Sequence, residues 1–107
     1  MNYNVADVLS LAKATMKIHG FDVWETMEAI RSVKGITNEE FDLIEKALIE
    51  VRIKELGMTN KDLVLMAMSN SYTYNQSKES ADLLITNEKF GWVKARNLFD
   101  VIFDLLG

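Results

Sequence analysis

One six-residue phrase recurs in three versions: ITNEEF at 36–41, MTNKDL at 58–63 and ITNEKF at 85–90. Its chemistry is that of a helix start. A threonine at the N-cap accepts a hydrogen bond from an unpaired amide of the first turn. Glu40 and Asp62, three residues on, can reach back to the cap amide and close a capping box. The apolar residues before and four after each threonine (Ile36 with Phe41, Met58 with Leu63, Ile85 with Phe90) suit a hydrophobic staple. The third version has Lys89 where the acid should stand, which makes it the weakest of the three. The spacings between threonines are 22 and 27 residues and the following residues do not align. A fixed-period array is therefore excluded.

The same logic with other letters marks starts at Asn4, with Asp7 three later, and at Asp22, with Glu25 three later. Gly20, Gly35 and Gly57 follow periodic segments and read as left-handed helix ends. No proline interrupts the chain. Helices are expected at 5–19, 23–34, 38–56, 60–70 and 87–106, with a short one around 77–85. The rival reading for 82–95 is a hairpin, because Gly91 is unfavourable inside a helix. The fold class is all-α: a single compact domain spanning 1–107, built as an irregular bundle of five to six helices.

The faces of these helices can be assigned from spacing. In the first helix Val5, Val8, Leu9, Ala12 and Met16 form one stripe, and Leu11, Ala14 and Ile18 a second. The 38–56 helix turns Phe41, Ile44, Ala47, Leu48 and Val51 inward and Ile49, Ile53 and Leu56 to the side. Asp42 with Lys46 and Glu50 with Lys54 are acid-first pairs four apart. The last helix reads LFDVIFDLLG from Leu98, apolar on nearly every side except for Arg96, Asp100 and Asp104. Such a helix is central core, or else Phe99, Ile102, Phe103 and Leu106 face a partner or a second copy. Asp100 and Asp104 sit where the helix dipole is already negative and read as a solvated cap, the alternative being that Arg96 or a basic partner offsets them.

The chain has no cysteine, which excludes disulfides and thiolate chemistry. His19 is the one histidine, placed before Gly20 as a helix C-terminal cation, with no second histidine to form a dyad or metal site. The glycines are isolated, and no calcium-loop or phosphate-loop motif occurs. No cofactor is expected. The opening MNYNVADVLS lacks a secretory n- and h-region, and the longest apolar run, Leu63 to Met68, is too short for a bilayer. A cytoplasmic protein without membrane contact is the expectation. Sixteen acids against twelve scattered bases make nucleic acid an unfavoured partner.

Residues 55–84, ELGMTNKDLVLMAMSNSYTYNQSKESADLL, resemble a repressor-type helix-turn-helix, whose first helix opens on a Gly-[Leu/Met]-Thr-x-x-x-Leu phrase. Val64 stands where such helices place a small alanine, and Met68 where the turn wants glycine. The recognition segment around 71–85 carries Lys78 beside Glu79 and Asp82, a poor phosphate anchor. The polar stretch 69–80, SNSYTYNQSKES, reads as an interhelical loop in which Tyr72 and Tyr74 suit a recognition surface. Met58, Met66 and Met68 flank it as core fillers or a pliant groove.

The sequence reading is thus a non-catalytic, acidic protein-interaction domain with a protein partner, homodimeric through the C-terminal helix if that face is exposed. Tyr72, Tyr74, Phe99, Ile102, Phe103 and Leu106 are its candidate contacts. The alternative is a transcriptional regulator using 55–84 on DNA; an enzyme with a carboxylate site is a weaker third. The acidic, cysteine-free composition is similar to that of many small bacterial or phage accessory proteins.

Overall fold

The computed structural model describes residues 4–33 and 35–107. Helices α1 (Val5–His19), α2 (Val23–Ile30), α3 (Asn38–Glu55), α4 (Asn60–Ser69) and α5 (Ser71–Ser77) are followed by strands β1 (Leu84–Asn87) and β2 (Gly91–Lys94) and by helix α6 (Ala95–Leu106). The fold is mostly helical, with one small two-stranded sheet.

Capping explains the starts. Complete capping boxes join Asp22 to Glu25, Thr37 to Glu40 and Thr59 to Asp62. Asn4 caps α1 through Ala6 N–H instead of pairing with Asp7. Gly20 and Gly57 both lie at φ 65°. Around them Phe21 N–H donates to Met16 C=O at 3.1 Å and Met58 N–H to Ile53 C=O at 3.2 Å. These bonds close α1 and α3 as Schellman turns. α2 is shorter than expected. It ends at Ile30, and bonds from Arg31 to Glu28 and from Val33 to Ile30 tighten the chain into single turns. Lys34, its predicted last residue, lies outside the described residues.

The third phrase does not start a helix, which corrects the expected span 87–106. β1 and β2 form an antiparallel hairpin with Asn87 opposite Gly91. Asn87 Oδ1 accepts Lys89 N–H at 2.7 Å, and Asn87 C=O accepts Phe90 N–H at 3.1 Å. Gly91 then lies at φ 74°. A tight turn over Asn87–Phe90 followed by a left-handed glycine closes the hairpin, a conformation that favours glycine at 91. The glycine is required a second way. A Cβ there would come within 2.7 Å of Asp22 Oδ2 and 2.8 Å of Trp24 Cβ, because Phe90 C=O accepts Trp24 N–H at 3.1 Å and pins the turn to the start of α2. The short helix expected at 77–85 is also displaced: α5 occupies 71–77 and the chain then turns into β1.

α6 is the centre of the assembly, packed by α3, α4, α5 and β2. Its Leu98, Phe99, Val101 and Ile102 are buried against Ile44 and Leu48 of α3 and the rest of one core cluster. The apolar-all-round pattern is thus explained by enclosure. The first stripe of α1 is buried or half-buried. In the second, Leu11 and Ile18 are exposed.

Candidate interaction surface

The six candidate residues separate. Phe99 and Ile102 are fully buried and cannot meet a partner without unfolding, which corrects their place on a surface. Tyr74 is half-buried, its ring edge-on to Phe99 at 5.0 Å and to Phe103 at 5.4 Å. Leu106 is half-buried. Phe103 and Tyr72 remain open, at 45% and 74% exposure. A dimer through α6 would therefore keep Phe103 as its one open anchor from that helix.

The expected loop at 69–80 is largely helix. α4 runs to Ser69 and α5 begins at Ser71, with Asn70 between them at φ −114°, ψ 21°. Asn70 N–H still reaches Met66 C=O and Tyr74 N–H reaches Asn70 C=O, so the run bends without unwinding. Leu63 and Met66 turn into the core and hold α4 down. Arg96 of α6 holds α5: its Nη2 donates to Ser77 C=O at 2.8 Å and Lys78 C=O at 3.2 Å, the orphan carbonyls of a helix end. With Leu63 and Met66 inward, the opposite face of α4 carries Val64, Leu65 and Met68 at 42%, 54% and 67% exposure, and Tyr72 follows four residues after Met68. The fifteen residues from Leu63 to Ser77 contain no charged side chain, in a chain that is 26% charged. The result is an uncharged helical run with a row of open apolar side chains, flanked on the Leu65–Ser69 side by a groove that Glu88 and Lys89 of the hairpin turn also line.

Sequence reading missed the buried polar cluster that joins α3 to the hairpin and α6. Glu45 is 2% and Asn97 3% exposed. Glu45 Oε1 accepts Lys94 N–H at 3.1 Å and Asn97 Nδ2 at 2.8 Å. Lys94 is the N-cap of α6 and has no side-chain cap of its own, so a carboxylate from another helix does what the third-position Glu does in a capping box. Burial pushes the Glu45 carboxyl above its ordinary value of 4.5; the Asn97 amide, the Lys94 N–H and the Lys94 ammonium pull the other way. Asp42 Oδ1 takes the Lys94 ammonium at 3.1 Å and Asn97 Nδ2 at 3.1 Å, and Asp82 lies 3.4 Å from the same ammonium. Burial disfavours charge on Lys94, but Asp42 and Asp82 outweigh it and raise its pKa. The expected pair Asp42–Lys46 gives way to this arrangement, and Lys46 meets Asp100 at 3.2 Å. The Glu50–Lys54 pair forms as expected at 3.2 Å. One sequence signal could have found Glu45: it lies four and eight residues before Ile49 and Ile53, inside their buried line.

The remaining candidates resolve simply. His19 ends α1 and stacks on Phe21 with ring centroids 5.0 Å apart. Among the described residues no group of three or more His, Cys, Asp or Glu is placed to hold a metal. Among the described residues no helix is long and apolar enough to cross a membrane. In 55–84 a single residue separates α4 from α5, and α5 stops at Ser77. A helix-turn-helix has a turn of three or four residues before its recognition helix. The chain matches no known protein family, no curated protein and no solved structure.

Proposed function

We propose that this chain is a non-catalytic protein-binding domain whose docking face is the outer surface of α4 and α5. The observation that carries the reading is the open row Val64, Leu65, Met68 and Tyr72 on a helical run that has no charged side chain of its own. Four large side chains left open along one run form a contiguous apolar patch of the kind that marks interaction sites. Methionine and tyrosine suit such a face, the first because its thioether adapts, the second because a rigid ring gives area at low entropic loss. The non-catalytic reading is supported by Glu45 and Lys94, the titratable groups drawn inward, whose hydrogen bonds hold α3, β2 and α6 together.

Affinity capture from the native host tests this, with Met68→Asp and Tyr72→Ser as variants. Both positions are exposed, so their thermal midpoints should stay at the wild-type value. Wild type is expected to retain a stoichiometric protein partner, a tagged second copy included, that both variants lose. Retention of the same partner by both variants would contradict the proposal. Salt-dependent binding to random duplex DNA would favour the regulator reading of 55–84 instead.

A further inference from the structure

We infer that the α4–α5 face pairs with the same face of a second copy of this chain, the two runs lying antiparallel. The inference rests on the protein-binding reading and names the partner. Each copy has a net charge of −4, so two copies repel over most orientations. The Leu63–Ser77 stretch carries no charge of its own, and the groove beside it is lined by one acid and one base of the hairpin turn, Glu88 and Lys89, so it is where two copies meet with the least repulsion.

A pairing about a twofold axis needs a patch complementary to itself. This one qualifies at its centre and at both ends. The centre is neutral and apolar. Lys61 and Asp62 stand just before the uncharged stretch, Lys78 and Glu79 just after it, and all four are exposed. Antiparallel packing sets the first end of one copy against the second end of the other. Lys61 then approaches Glu79 of the second copy, while Asp62 keeps to its Thr59 cap and Lys78 to the face of its own Tyr74 ring, 4.4 Å from the ring centroid. Parallel packing would set each charge against its own duplicate. Such rim charges fix orientation more than strength. Val64, Leu65, Met68 and Tyr72 with a polar rim of Ser69, Asn75 and Gln76 make a patch smaller than the roughly 800 Å² per partner of a standard interface, the size of a weak, concentration-dependent dimer.

Sedimentation equilibrium of the whole chain from about 1 µM to about 1 mM covers the range in which an interface of modest size associates. The apparent mass should climb from 12.2 kDa towards twice that value. Met68→Asp, and independently Leu65→Lys, should stay monomeric with unchanged helical circular dichroism. Lys61→Glu and Glu79→Lys should each weaken the dimer about 2- to 5-fold at low salt, and the two together should restore it. A wild type that stays monomeric throughout would overturn the inference, as would a dimer that survives both apolar variants or a double charge variant no better than the singles. The broader reading fails separately: a monomeric wild type whose host partner is still lost in Met68→Asp overturns self-pairing and leaves protein binding standing.

Discussion

At the scale of single residues, the three similar phrases diverge through two letters. Glu40 and Asp62 close boxes on Thr37 and Thr59; Lys89 cannot close one on Thr86, and Gly91 follows it with a left-handed φ. Both differences are printed in the sequence, but the weight of Gly91 depends on a close approach by Asp22 and Trp24 that no local pattern contains. Thr37→Ala and Thr59→Ala should each lower unfolding free energy by about 1 kcal/mol in urea titrations. Thr86→Ala, on an exposed strand position, should change it by less than about 0.5 kcal/mol. Gly91→Ala should cost about 2 kcal/mol or more, since it strains the backbone and drives a methyl into α2. Equal losses for all three threonines would refute the hairpin. Glu45 makes a pH prediction. Its folded pKa is raised, so between 4.5 and that value the native state holds more of the proton than the unfolded chain does. Its contribution to stability is therefore full below 4.5 and lost as pH rises through the folded value. Subtracting the stability of Glu45→Gln from that of wild type at each pH should give a curve that falls across this window; a rising curve would contradict the burial.

At the scale of elements, α1, α3 and α4 were legible because their start and stop chemistry is local. α5 was not. Its sequence, SYTYNQS, is that of a polar loop, and it has no side-chain cap. It is held helical from outside, by Arg96 on its last carbonyls and by the edge-on packing of Tyr74 on Phe99. Arg96, the alternative neighbour for Asp100 and Asp104, is occupied by this helix end instead, and Lys46 meets Asp100. Arg96→Ala should therefore speed amide hydrogen exchange across 71–77 at least several-fold while leaving the middle of α3 protected. Uniform loosening of both helices would mean that Arg96 acts on the whole fold and not on this helix end.

At the scale of the molecule, the enclosed last helix reorganises the candidate surface. The apolar breadth of 98–106 left two readings open, core or interface, because periodicity reports burial without reporting what does the burying. Four neighbouring elements settle it for Phe99 and Ile102. The open apolar surface then lies on α4 and α5, where sequence reading had placed Tyr72 but had assigned the methionines to flanking positions. The central claim is that Val64, Leu65 and Met68 face the same residues of a second copy of this chain. A concentration series of methyl NMR spectra tests it most directly. The account predicts that the Val64, Leu65 and Met68 methyl signals shift together as concentration rises, while those of Val101, Ile102 and Leu106 stay fixed. Fixed α4 methyls, or shifts confined to α6, would contradict it.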